Sequence, residues 1–153
     1  MPPPRHAPYN GAMKILIAVD GSAYTQKALA YLVANRAMFV DGHDLVIVHV
    51  CTGISGHVTR HLSKELVSDY YAEESAKVIE PVKAQLAAQG IANYTVDARH
   101  GHIAEEILKS ATAAQAGLIV LGTHGHGILG RALMGSVATK VIAETNTTVL
   151  LVQ

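Results

Sequence analysis

From Leu118 to Ile142 the chain reads LIVLGTHGHGILGRALMGSVATKVI. An apolar run ends in a glycine-studded loop, and the loop delivers Gly135-Ser136 to the start of a helical pattern. A strand, a pliant loop and a helix N-terminus in that order form an anion site. The first amides of a helix lack intrahelical partners, the helix dipole favours negative charge there, and glycines let a ligand come close to the backbone. The chemistry expected of this segment is phosphate binding.

Two familiar phosphate cradles do not fit. A P-loop needs GxxxxGK[ST], and no glycine-lysine pair occurs in the chain. Gly125-His126-Gly127-Ile128-Leu129-Gly130 satisfies GxGxxG letter for letter. A dinucleotide fingerprint also wants an acid at the end of the next strand. Here that strand is TVLLV, which carries none. A second spacing is fuller: Gly122, two residues, Gly125, nine residues from His126 to Met134, then Gly135-Ser136.

Other residues with chemical potential are scattered. Asp20 ends the run KILIAVD, where it could hold a hydrated cation or cap the turn that follows. His57 and His61, His100 and His102, and His124 and His126 form close pairs, but no third metal ligand is identifiable for any of them. His124 could touch a phosphate, and Arg131 could screen one. His49, inside an apolar run, reads as a hydrogen-bonded core side chain. The single cysteine, Cys51, reads as a small buried hydrophobe, since one thiol cannot close an internal disulfide.

The elements that must position these residues follow from periodicity. Lys14–Asp20, Leu45–Cys51, Leu118–Leu121 and Thr148–Val152 are apolar β-type runs. Tyr94–His100 alternates apolar with polar residues, as a strand at an edge or with one wetter face would. Between them lie helical patterns. Ala28, Leu29, Leu32 and Val33 follow a Ser22 N-cap, and Gly42 ends that stretch. Thr52–Arg60 reads as loop. Leu62, Leu66, Tyr70, Ile79, Val82 and Leu86 mark one face of a long helix, which Pro81 should kink or divide and Gly90 close. Ile103, Ile107 and Ala111 stripe a helix that Gly117 stops, and Val137, Val141 and Ile142 stripe the last one, ending near Asn146.

Alternating strands and helices, with strands apolar on both faces, predict an α/β fold: a five-stranded parallel sheet between two helical layers. With strand order 3-2-1-4-5, the first and fourth strands flank the crevice where ligands bind, and Asp20 faces the Gly122 loop. Residues 1–12 read as a tail and 13–153 as one domain. Half of the residues are hydrophobic, enough for a core, and 12 basic residues balance 12 acidic ones. That balance gives no electrostatic reason to expect nucleic acid as a partner. No apolar run approaches the ~20 residues of a membrane span. MPPPRHAPYNG lacks the apolar centre of a signal peptide, so a cytoplasmic location is expected.

The G-2x-G-9x-G-S spacing, the opening ILIAVDGS, the VIVHV strand and the closing VLLV together resemble the ATP-binding universal stress proteins over Met13–Gln153. The resemblance implies a Rossmann-like domain that binds ATP with magnesium. Asp20 would sit near the ribose or the magnesium ion, and the Val50 backbone would read adenine. Ala18 and Leu121 would line the adenine and ribose region. Gly122 and Gly125 would let the loop wrap the phosphates, and Gly135, Ser136 and the Val137 backbone would bind the outer ones. It also implies a homodimer through strand 148–152, whose edge would otherwise be bare. One departure is Thr147-Thr148, where the family often has proline. The expected function is a regulatory nucleotide-binding dimer with little or no turnover. The alternative is a slow ATPase or a nucleotide-dependent transferase using the same crevice.

Overall fold

The computed structural model describes residues 12–124 and 134–153. Five parallel strands, β1 (Lys14–Ala18), β2 (Asp44–Cys51), β3 (Tyr94–His100), β4 (Leu118–Gly122) and β5 (Thr148–Val152), form one sheet in the order β3-β2-β1-β4-β5. The helices are α1 (Ala23–Ala34), α2 (Arg36–Phe39), α3 (Gly56–Thr59), α4 (Lys64–Ala88), α5 (Ile103–Ala114) and α6 (Ser136–Glu144).

Strand periodicity splits the core in two. Ile15, Ile17 and Val19 of the first strand region, with Leu45 and Ile47, point to one face and pack on Leu29 and Leu32 of α1 and Val82 and Leu86 of α4. Leu16, Val46, Val48 and Ile119 point to the other and pack on Ile107 and Ala111 of α5 and Ala138 and Val141 of α6. The three expected layers are therefore α1/α4, sheet, and α5/α6.

Several local expectations are corrected. The segment read as loop holds α3, capped by the Ser55 hydroxyl, which accepts from the Val58 amide. Pro81 lies inside α4 without dividing it. Leu62 precedes that helix, and Leu62, Leu66 and Tyr70 are exposed; its buried side is Ser75, Ile79, Val82 and Leu86. At 3.6 residues per turn Leu66 and Tyr70 lie nearly opposite the buried Ile79, Val82 and Leu86, and these turns bring Tyr71 instead onto His100 of β3. α5 ends on Gln115, which takes the left-handed conformation itself (φ 54°), two residues before Gly117. Gly117 is small for another reason: a Cβ there would lie 3.2 Å from the Met13 side chain. At Thr147 the amide donates to the Thr145 hydroxyl, a bond that a proline would forfeit.

Candidate functional site

Order reversal creates the site. The chain proceeds from β1 to β2 and β3 on one side, then crosses back to β4 and β5 on the other, so the carboxyl ends of β1 and β4 diverge over a crevice. A cavity of about 410 Å³ occupies it. Ala18, Asp20, Val50, Leu121, Gly122, Gly135 and Val137 all line this cavity. Ser136 is exposed and lines an adjoining hollow of about 570 Å³, which shares Thr52, Ile103 and Val137 with the first. Gly125, His126 and Arg131 lie outside the described residues.

The β1 side is fastened by its own polar groups. Asp20 Oδ1 accepts from the Ser22 amide (2.8 Å) and the Thr25 hydroxyl (3.0 Å), and the Ser22 hydroxyl accepts from the Thr25 amide (3.3 Å). Asp20 thus holds the turn into α1, as the capping reading expects, and it also lines the cavity. His49 is buried, with Nδ1 2.7 Å from the Val19 carbonyl. Since a carbonyl only accepts, Nδ1 carries the proton, which fits a hydrogen-bonded core histidine.

β2 outruns β1 at this point. Val48 is the last β2 residue paired with β1, its carbonyl accepting from Val19 (2.9 Å), whereas the Cys51 carbonyl accepts from Gly101 beyond β3 (3.0 Å). Ladder bonding alternates along a strand, so the amide and carbonyl of Val50 face the side that β1 has left. A main-chain donor and acceptor pair is thereby presented beside the cavity.

The β4 side is built differently. Gly122 is required by packing: a Cβ there would sit 3.0 Å from the Tyr24 Cβ and 3.1 Å from its backbone carbonyl. Thr123 is buried; its amide donates to Val152 and its carbonyl accepts from the Gly135 amide at 2.6 Å, which brings the two ends of the glycine loop together. Gly135 is the N-cap of α6, extended at φ −71° and ψ 161°, and makes no side-chain cap. The first amides of α6 therefore lack the side-chain acceptor that Ser22 gives α1. His124 lines the cavity with its ring 4.9 Å from that of Tyr24.

The sequence did not mark the other walls. Thr25 of α1, Lys77 and Val78 of α4, and Ile103 and Ile107 of α5 also line the cavity. Each looks like ordinary core or surface in its own helix, and only the long-range packing brings it here. Lys77 pairs with Glu74 at 2.8 Å, which holds its ammonium pKa up. Burial, and then Glu74, push the Cys51 thiol up, as suits a buried hydrophobe more than a nucleophile. Among the described residues no three histidine, cysteine or acidic side chains converge as a metal site.

Comparison with known proteins assigns the chain as a whole. The pattern of the Universal stress protein family matches residues 11–153. The chain belongs to the universal stress protein family. It is 32% identical over 140 residues to the universal stress protein in the QAH/OAS sulfhydrylase 3' region of Thermus aquaticus, covering 91% of this chain and 97% of that one. It is similar to the solved hypothetical protein MJ0577, at 28% identity and TM-score 0.77, over 92% of this chain and 94% of the other. It also shares its fold with the universal stress protein of Archaeoglobus fulgidus solved in complex with dAMP (20% identity, TM-score 0.65, covering 92% and 98%). Its own sheet is doubly wound, and among the described residues no helix is long and apolar enough to cross a membrane.

Proposed function

We propose that this universal stress protein binds ATP with magnesium in the β1/β4 crevice and acts as a regulatory dimer with little or no turnover. One observation carries the reading: seven of the residues singled out in the sequence line a single cavity at the topological switch point. The donor set suits the ligand. An adenine edge offers a donor and an acceptor, the complement of the Val50 carbonyl and amide. Apolar walls from Ala18, Val48, Leu121 and Ile107 suit the faces of a base. The α6 N-terminus, with Gly135, Ser136 and Val137, suits phosphates. Asp20 is one carboxylate, and magnesium held by one carboxylate takes its remaining ligands from nucleotide phosphates and water. A relative of the same fold solved with dAMP supports an adenine nucleotide.

The proposal of low turnover is supported by what the chain offers to a reaction. There is no Walker lysine, and Asp20 already spends Oδ1 on Ser22 and Thr25. ATP would act by ordering the loop and α6 and so shifting a population that partners read. β5 is an edge strand, and pairing it with β5 of a second copy would satisfy its outer backbone groups. Titration calorimetry with ATP, ADP and AMP, with and without magnesium, tests the proposal. Saturable binding, strongest for ATP with magnesium, is expected; no heat from any of the three overturns it. Phosphate release above about one per minute, lost in Asp20→Asn, would instead favour the enzyme.

A further inference from the structure

The β1–β2 ladder stops one bond short of what its register allows. Ala18 is matched with Val48, and the next bond, from the Val19 amide to the Val48 carbonyl, is still made at 2.9 Å. In a parallel pair, a residue whose amide and carbonyl face the neighbour donates to one of its residues and accepts from the residue two farther on. The bond due after Val19 is therefore from the Val50 amide to the Val19 carbonyl. It is not formed, and among the described residues no other acceptor takes the Val50 amide.

The Val50 carbonyl is open for an ordinary reason. Its ladder partner would be the amide of Gly21, and Gly21 turns the chain away at φ 79°. The amide has no such reason. Val19 is in place, held to β2 by its own N–H, and its carbonyl faces the same side. That carbonyl is bonded to something else. His49 Nδ1 lies 2.7 Å from it and donates, and the ring is buried. A carbonyl has two lone pairs, but among the described residues only the imidazole bonds this one. His49 precedes Val50 in the chain and lines the same cavity.

We infer that His49 is a positioning residue for the candidate site: its Nδ1–H takes the acceptor that would otherwise close the ladder, and so keeps the Val50 amide open to a ligand. For the fold the exchange is close to neutral, since one hydrogen bond to the Val19 carbonyl replaces another. Its product is a main-chain donor facing the cavity. The effect on affinity rests on the function proposed above. A base can accept from an open amide without first breaking a ladder bond, and a closed one would weaken binding by about five- to tenfold.

Two variants separate the donor from the space that it fills. His49→Leu keeps an apolar side chain and has no donor. His49→Asn keeps an N–H close to the position of Nδ1. Scalar couplings across hydrogen bonds, read by NMR on the ligand-free chain, identify the partner of the Val19 carbonyl directly. In the unmodified chain that carbonyl should couple to His49 Nδ1 and not to the Val50 nitrogen. In His49→Leu it should couple to the Val50 nitrogen, and the Val50 amide should exchange with deuterium at least about tenfold more slowly. His49→Asn should return the amide to fast exchange. With ATP and magnesium as the probe, His49→Leu should bind about five- to tenfold more weakly, and His49→Asn should recover most of that loss. Melting curves check that each variant is folded. A coupling from Val50 to Val19 in the unmodified chain overturns the inference. So does a Val50 amide that stays open in folded His49→Leu, and so does a loss of affinity that His49→Asn shares in full. The couplings are read without nucleotide, so failure of ATP to bind the unmodified chain strikes the proposed function and leaves the open amide to be decided by them.

Discussion

Two strand-to-helix junctions stand side by side at the carboxyl edge of the sheet, and they close in opposite ways. After β1 the chain turns within a few residues, and Asp20, Ser22 and Thr25 bond one another and the first amides of α1. After β4 the Gly135 amide donates to the Thr123 carbonyl, and α6 starts with no side-chain cap. The first junction satisfies itself. The second leaves the first amides of its helix without a side-chain acceptor. A phosphate site needs both: a fixed wall to set distances, and a set of amides not already taken.

The comparison is broken most directly by giving the second junction what the first one has. Gly135 is extended, not left-handed, so Gly135→Asp fits the backbone and supplies an acceptor to the α6 amides. We expect ATP affinity to fall by about a hundredfold or more, as a fixed carboxylate takes the phosphate's place, while the thermal midpoint holds or rises slightly. Calorimetry and a melting curve on the same sample read both. The next largest effect is Gly122→Ala. The new Cβ meets Tyr24, and we expect a loss of about 1–3 kcal/mol of stability in urea unfolding, with weaker binding following from the displaced wall. Ser22→Ala removes only a cap. It should lower stability by about 1 kcal/mol and leave ATP affinity nearly unchanged, since Ser22 does not line the cavity.

The smallest effect lies away from both junctions. Glu106, in the first turn of α5, accepts from Lys109 (3.1 Å) and Arg99 (3.3 Å), and these hold its carboxyl below the usual glutamate range. A lowered native pKa contributes stability that is present above the ordinary glutamate value and lost as pH falls through the native one. Glu106→Gln should therefore lower stability slightly at neutral pH, leave it nearly unchanged at low pH, and so flatten the acid limb of a stability-versus-pH curve. A steeper acid limb would show the sign to be wrong.

Most of the fold was legible because four strands are continuous apolar runs and helices alternate with them. That alternation alone leaves the strand order open; the expected order 3-2-1-4-5 and an edge position for β3, one of two readings of its alternating pattern, are both present in the structure. The errors have local causes. Leu66 and Tyr70 share a face with each other, but at 3.6 residues per turn that face lies nearly opposite Ile79, Val82 and Leu86, and Leu62 precedes the helix, so no single face holds all six. α5 stops at Gln115 because a non-glycine residue takes the left-handed position, so the glycine at 117 misled. At the site, spacing marks Gly122, Gly135 and Ser136, while Ala18, Val50, Leu121 and Val137 are marked by the family resemblance. Lys77, Val78, Ile103 and Ile107 could not be found that way, because distant packing alone puts them on the wall. Gly122 is expected from the resemblance to let the loop wrap phosphates; the constraint visible in the fold is Tyr24, which a Cβ there would meet.

The central claim is that free amides at the start of α6 and the backbone of Val50 receive one nucleotide. Amide chemical shifts during a titration with magnesium and ATP report on those atoms directly. The account predicts that Ser136, Val137 and Val50 move together and saturate at one nucleotide per chain, while the amide of Ser22 moves far less. Shifts confined to other surfaces, or a saturated complex in which the α6 amides stay still, would contradict it.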